Sequence, residues 1–299
     1  MIIVRLAGGL GNQMFQYALG RHLALLNNTE LKLDIYSLIA TIHRPFLLNY
    51  FNIKAEIASK KEISKLTSPI YYFGYTRFNN ILSRLIRRFI KPEKYFTTNS
   101  FYSEKIEFFF DKKILELEGS YYLYGHWQNP NYFNNIKNIL IEDFTLKKGL
   151  NNDIKSVAKT MKEVESVSVH IRRGDYINNP NNLKLFSILS KEYYLKAYQV
   201  MKQKNANPYF YVFSDDIPWC KKNLVFDSPT FYSNADYGAY SDFFLMSQCR
   251  HNIMANSTFS WWAAYLNQNR EKIVIAPNKW FNDNRINTSD LAPDGWIKL

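Results

Sequence analysis

"MIIVRLAGGLGNQMFQYALGRHLALLNN", Met1 to Asn28, reads as a strand, a glycine turn and a helix. Ile2, Ile3, Val4 and Leu6 make the short apolar run of a strand buried on both faces. Gly8, Gly9 and Gly11 permit a tight turn. Phe15, Ala18, Leu19, Leu23 and Leu26 then recur at helical spacing. "ELKLDIY", Glu30 to Tyr36, reads as a second strand, so the chain opens a βαβ unit and its fold class is α/β.

The second half repeats the alternation. Short apolar strands are expected at Val167–Ile171, Tyr209–Phe213, Asn252–Ala255 and Ile273–Ile275. Helical patterns separate them in "KEYYLKAYQVMKQKN", "SDFFLMSQCR" and "STFSWWAAYLNQN". Strands alternating with helices imply a parallel sheet, whose ligands bind beyond the carboxyl ends of the strands. Residues 40 to 150 are aromatic-rich and less regular, with "SPIYYFGYTRF" and "GSYYLYGHWQNPNYF" as strand–loop segments. The polar stretch "KKGLNNDIK" is the candidate boundary between domains 1–150 and 151–299.

A chain of 299 residues suits two domains of roughly 150 each, and 46% hydrophobic residues excludes a disordered protein. No apolar run approaches the ~20 residues of a membrane span, and the N-terminus lacks signal-peptide features. A cytoplasmic protein is expected. In "NNILSRLIRRFIKPEKYF", Ile81, Leu82, Leu85, Ile86, Phe89 and Ile90 alternate at helical spacing with Arg84, Arg87, Arg88 and Lys91. That pattern fits an ordinary surface helix or a peripheral contact at the inner membrane. Cys220 and Cys249 read as free buried thiols, and five scattered histidines give no metal spacing. The net charge of +12 favours anionic partners: nucleic acid, acidic lipid or a phosphorylated substrate.

The polar clusters fall where strands end. In "SVSVHIRRGDYINNP", Ser166 to Pro180, two adjacent arginines follow a strand. They repel each other unless an anion or a carboxylate lies between them. Arginine's planar fork grips phosphate oxygens in pairs, and Asp175 is placed to hold one arginine and leave the other for a ligand; a surface salt-bridge turn is the plainer reading. In "YVFSDD", Asp215 and Asp216 are site carboxylates or a cap for the helix near Pro218. "NSTFSWW" starts a helix whose hydroxyls and N–H groups suit an anion, or simple capping by Ser257 or Thr258. Asp242 is a site carboxylate or a helix-dipole charge, and Trp261 and Trp262 read as core. Gly9 and Gly11 with Asp34 mimic a dinucleotide fingerprint. Met14, however, occupies the third glycine position, so a turn presenting backbone N–H groups and the Asn12 and Gln13 amides, or a plain tight turn, is expected instead.

Five blocks carry a resemblance: "GGLGNQMFQYALGRHLA", "GHWQNPNYF", "HIRRGDY", "YVFSDD" and "DFFLMSQCRHNIMANSTFSWWAAYL". In this order, from residue 7 to about residue 266, they resemble the α-1,2-fucosyltransferase family, glycosyltransferase family 11. The segment between roughly 40 and 120 matches only loosely and is expected to shape acceptor choice. The resemblance implies a GT-B-like fold of two Rossmann-like domains facing a cleft, residues 1–150 on the acceptor side and 151–299 binding GDP-β-L-fucose. It implies inversion at the anomeric carbon, no cofactor and no metal. Arg172 is then expected on the β-phosphate, with Arg173 structural or a second phosphate contact. His170 is expected beside guanine or ribose and Asp242 on the guanine N–H groups. Asn256, Ser257, Thr258 and Ser260 would line the phosphate or ribose pocket, and Asp215 matches a site carboxylate.

The expected acceptor is the 2-hydroxyl of a β-galactoside in a galactose-terminated oligosaccharide or glycolipid of a bacterial surface glycan. Asp175 is the candidate base, although an arginine partner would lower its pKa; late or water-assisted proton transfer is the alternative. Rivals are a GDP-fucose transferase forming another linkage, a GDP-sugar-binding protein without turnover, and a basic nucleic-acid-binding protein. The last needs a basic stripe interleaved with aromatics, whereas these arginines sit at one strand end, so no nucleic-acid partner is expected.

Overall fold

The computed structural model describes residues 1–39, 45–67, 99–147, 149–234 and 237–299. The chain divides into two compact units, Met1–Lys148 and Gly149–Leu299, and the division falls within "KKGLNNDIK". The arginine-flanked amphipathic segment 81–91 and "SPIYYFGYTRF" lie outside the described residues.

In the first unit, β1 (Ile2–Arg5), β2 (Leu31–Asp34), β3 (Glu56–Ile57), β4 (Phe101–Ser103) and β5 (Tyr121–Tyr124) form a sheet in the order β3-β2-β1-β5-β4. Every pairing in it is parallel. Helix α1 (Leu10–Leu26) links β1 to β2. A central parallel strand needs cover on both faces, and Ile2, Ile3 and Val4 are fully buried. Phe15, Ala18, Leu19 and Leu23 are buried as expected, but Leu26 ends the helix 55% exposed. A Cβ at Gly20 would lie 2.4 Å from Val4 Cγ2 and 2.8 Å from Leu31 Cδ1. The helix backbone therefore rests directly on β1 and β2, the close approach that Met14 does not provide. Short helices α2 (Tyr36–Ile39), α3 (Lys60–Leu66) and α4 (Lys137–Asp143) complete the described part of this unit. Buried Asp143 fastens α4 to α1, accepting from Tyr17 Oη at 2.6 Å and Arg21 Nε at 2.9 Å.

The second unit contains α5 (Asn152–Glu163), β6 (Glu165–Ile171), α6 (Gly174–Asn178), α7 (Pro180–Leu185), α8 (Lys191–Lys204), β7 (Pro208–Ser214) and α9 (Ile217–Asn223). Then follow β8 (Thr230–Tyr232), α10 (Gly238–Gln248), β9 (His251–Ile253), α11 (Thr258–Leu266), β10 (Val274–Ala276) and β11 (Ile297–Lys298). Its parallel sheet runs β11-β10-β9-β6-β7-β8.

The β6–β7 register runs from Glu165↔Pro208 to Ile171↔Ser214 and brings both strand ends to the same level. Val167, Val169 and Ile171 pack with Tyr194, Ala197, Tyr198 and Met201 of α8. Burying each such side chain contributes about 1.5–3 kcal/mol before entropy is counted. The alternate residues Ser166, Ser168 and His170 are buried too. Ser168 Oγ accepts from Asn252 Nδ2 at 2.7 Å and Ser166 Oγ from the Arg250 N–H at 3.0 Å, so the serines cross-link β6 to β9. A one-residue slip would break both bonds and turn the valines out of their core.

Trp261 and Trp262 are fully buried core residues, and Cys220 and Cys249 are free, buried thiols. No described helix is long and apolar enough to cross a membrane.

Candidate active site at the carboxyl edge of the second sheet

Strands β9, β6, β7 and β8 are neighbours, so their carboxyl ends place "HIRRGD", "SDD" and "NSTFS" along one edge. The paired arginines are resolved by two carboxylates from β7. Asp215 Oδ1 accepts the Arg173 backbone N–H at 2.9 Å, while its Oδ2 lies 3.5 Å from an Arg172 guanidinium nitrogen. Asp216 Oδ2 faces Arg173 Nε at 3.4 Å. The Arg173 guanidinium also lies over the Trp219 ring, 3.8 Å from its centroid. Arg173 is thus held between a carboxylate and an aromatic face and is 18% exposed; Arg172 is 32% exposed, with Tyr176 beneath it at 5.8 Å. Asp215 and Asp216, which the β6–β7 register brings alongside, thus meet both arginines. Asp175 lies in α6, and its side chain is outside the described residues.

The turn after β6 is tight at Gly174, where a Cβ would approach Asp215 Oδ2 to 3.0 Å. Asp216 also caps α9, accepting from Trp219 N–H at 3.1 Å. The capping reading of "SDD" thus holds for Asp216, which also faces Arg173.

His170 is 5% exposed, and its ring meets Phe259 at 5.6 Å. Burial, reinforced by the nearby Arg172 charge, pushes its pKa down to about 3, so the ring is neutral at physiological pH. Its Nδ1 is buried and has no hydrogen-bond partner among the described residues. An unpaired buried ring nitrogen costs about 1–3 kcal/mol. Phe259 also touches Phe243 at 5.5 Å, which joins α11 to α10 beside Asp242. Asp242 accepts from Ser233 Oγ at the end of β8, and burial pushes its pKa up to about 6 despite that bond.

The "NSTFS" residues divide. Ser257 caps α11, accepting from Phe259 N–H at 3.3 Å, and Thr258 begins the helix, whose N-terminus carries the partial positive charge of aligned peptides. Asn256 and Ser260 are turned inward. Asn256 Nδ2 donates to Ser187 O at 2.7 Å and Trp280 O at 2.9 Å, and Ser260 Oγ donates to the Ala255 and Ser257 carbonyls. These bonds fix the turn that carries Ser257 and Thr258.

The glycine turn of the first unit is also braced from within. Gly9 precedes α1, Gly11 is buried in its first turn, and Asn12 Oδ1 accepts from Gln128. Gln13 is fully buried: its amide donates to Gly8 O and Pro45 O and accepts from Leu47 N–H. The expectation that Gln13 faces a ligand is corrected, because all of its polar atoms are spent on backbone. Asp34, the apparent ribose acid, is 2% exposed and accepts from Tyr122 Oη and Tyr36 N–H, so it is not available to a nucleotide. Trp219 and Ser233 are site residues that the sequence reading missed; neither stands in a spacing that signals its partner. Among the described residues, no three His, Cys, Asp or Glu side chains converge as metal ligands.

The family model "Glycosyl transferase family 11" matches residues 1–299. The chain is 38% identical to an alpha-1,2-colitosyltransferase of Escherichia coli, covering 100% of this chain and 99% of the relative. It is 35% identical to the O-antigen biosynthesis glycosyltransferase WbnK of Escherichia coli, covering 98% and 99%. Its fold is similar to that of the fucosyltransferase NodZ from Bradyrhizobium, with TM-score 0.51 and 14% identity over 88% of this chain and 90% of that one. Two Rossmann-like units with parallel sheets make the architecture GT-B-like. The chain belongs to glycosyl transferase family 11.

Proposed function

We propose that the protein transfers L-fucose from GDP-β-L-fucose to the 2-hydroxyl of a β-galactoside in a surface glycan, with inversion and without a metal. The observation that carries this reading is the unequal treatment of the two arginines. Arg173 is 18% exposed and held by Asp216 and Trp219, whereas Arg172, which meets Asp215 and Tyr176, is 32% exposed and its charge acts on His170 at the end of the same strand. That is cationic charge gathered at one strand end, suited to a diphosphate.

In the reaction, an acceptor hydroxyl attacks fucose C1 as the C1–O bond to GDP breaks, and its proton passes to Asp175, the candidate base, or late in the step to water. Negative charge grows on the departing diphosphate, where Arg172 and the α11 N–H groups stabilise it more in the transition state than in the ground state. Neutral His170 meets ribose or base through the nitrogen that the protein leaves unpaired. Asp242, ionised at pH 7, accepts from the guanine N–H groups. Fucose as the donor sugar is supported by the ordered blocks from "GGLGNQ" to "NSTFSWW", and the surface-glycan setting by the O-antigen relative.

The 38% identity to a colitosyltransferase over the whole chain favours one second reading, a GDP-colitose donor. Colitose lacks the 3-hydroxyl of fucose. A site built to bond that hydroxyl would reject the deoxy sugar by roughly 10⁴–10⁵. GDP release from each donor, with and without lactose and in excess EDTA, tests both readings. Lactose-dependent release from GDP-fucose in EDTA is expected. Release only from GDP-colitose would replace the donor, and release only after a divalent cation is restored would overturn the metal-free reaction.

A further inference from the structure

The block "GHWQNPNYF" has no role in the chemistry above, yet it is built at cost. It follows β5, and residues 104–110 follow the adjacent parallel strand β4, so both lie at the carboxyl edge of the first sheet. The Glu104 carboxylate ties them together, accepting His126 N–H at 2.7 Å and Trp127 N–H at 3.2 Å. Phe108 and Trp127 hold left-handed backbones, with φ of 67° and 58°. Such conformations cost bulky residues about 1–3 kcal/mol each. Fully buried Asn129 pins both, its Nδ2 donating to Phe108 O and its N–H to Trp127 O, each at 2.9 Å.

The strained pair sets out a polar, partly open surface. His126 Nδ1 lies 3.1 Å from Glu107 Oε1, and the two side chains are 41% and 59% exposed. The imidazole holds the Glu107 carboxyl below its ordinary range, so the carboxylate is an ionised acceptor at neutral pH. Phe109, two residues on, is an exposed aromatic. The Trp127 Nε1 donor is buried and has no hydrogen-bond partner among the described residues. Its ring edge and Glu104 Oε2 converge on Gly125, each 2.8 Å from where a Cβ would stand. A carboxylate, an imidazole and an exposed aromatic ring together suit an uncharged polyol with one apolar face.

We propose that His126, Glu107 and Phe109 form the subsite in which the first unit recognises a hexose ring of the acceptor. Glu107 and the imidazole bond neighbouring hydroxyls, and Phe109 covers the apolar face of the ring. The assignment to the acceptor rests on the transferase reading; the sugar site itself does not.

Saturation-transfer NMR of the full chain with the methyl glycosides of galactose, glucose, N-acetylgalactosamine and N-acetylglucosamine tests it, with GDP titrated into the same samples. At least one glycoside is expected to bind. Glu107→Gln and Phe109→Ala, both at exposed side chains, are each expected to weaken it about tenfold, with GDP affinity and melting temperature unchanged. Equal binding by these variants, or no glycoside bound by the wild type, would overturn the subsite and leave the GDP reading intact. Loss of GDP binding alone would sink the donor reading and not this one.

Discussion

The turn after β1 and the turn after β6 occupy equivalent places, each leaving a central parallel strand for a helix. They treat polar side chains oppositely. After β1, Gln13 and Gln16 are fully buried and saturated: Gln13 on Gly8, Pro45 and Leu47, Gln16 on Ala7 and Gly125. After β6, His170 Nδ1 has no hydrogen-bond partner among the described residues, the Arg172 side chain stays 32% exposed, and Asp215 is shared between the Arg173 N–H and the Arg172 guanidinium. The topology that places a ligand at strand ends does not itself make a site. A saturated turn stabilises the chain; an incompletely satisfied one keeps bonding capacity for a partner at the expense of stability.

The contrast predicts where each substitution will be felt, and Arg172→Lys should be felt most. A point charge without the planar fork should lower kcat for fucosyl transfer by about 10²–10³, with little change in melting temperature. Arg173→Lys should do the reverse, losing the Trp219 stack and lowering stability more than turnover. Comparable kcat losses in both variants would erase the distinction between them.

Next in size is Gln13→Ala. It removes the partner of two carbonyls and one N–H in a partly buried loop, at about 1–3 kcal/mol for each group that water does not reach. The first unit should melt earlier while GDP affinity stays constant. A loss of GDP affinity without a loss of stability would make the glycine turn a binding element after all.

Asp242 gives a smaller, pH-dependent effect. Its folded pKa of about 6 lies above the ordinary carboxylate value, so the carboxyl takes up a proton as pH falls through about 6 and ceases to accept from guanine. Affinity for GDP-fucose, whose diphosphate is a diester with no proton to gain there, should therefore fall between pH 7 and 5. Asp242→Asn should bind more weakly at pH 7 and lose that pH dependence. The same raised pKa contributes folding stability below the unfolded value that is lost as pH rises through about 6. Unchanged pH dependence in the variant would remove Asp242 from guanine recognition. Smallest is Gly174→Ala, whose Cβ must displace Asp215 Oδ2 by a few tenths of an ångström; a severalfold rise in KM for GDP-fucose is expected.

Much of the architecture was legible because it is periodic. The unbroken apolar run of β1 and the helical spacing of α1 announce a buried parallel strand and its crossover. The same alternation around β6, β7, β9 and β10 places the polar clusters at one edge. What escaped was short or distant. β8 and β11 have three and two residues, too few for a period to register. Asp215 is 42 residues from Arg173, and only the β6–β7 register brings them together. Proximity in sequence points to Asp175, and only the tertiary pairing of β6 with β7 shows that Asp215 and Asp216 also face the two arginines. Asn256 and Ser260 sit in a motif that reads as ligand-facing; both are buried and donate to backbone carbonyls, bonds set by χ angles that no spacing reveals.

The central claim is that the edge bearing Arg172 binds a nucleoside diphosphate through that residue. Calorimetric titration of GDP and of guanosine, in EDTA, into the wild type and Arg172→Lys tests it most directly. The account predicts GDP affinity at least tenfold weaker in the variant and guanosine affinity equal in both. Equal GDP affinity in the two proteins would contradict it.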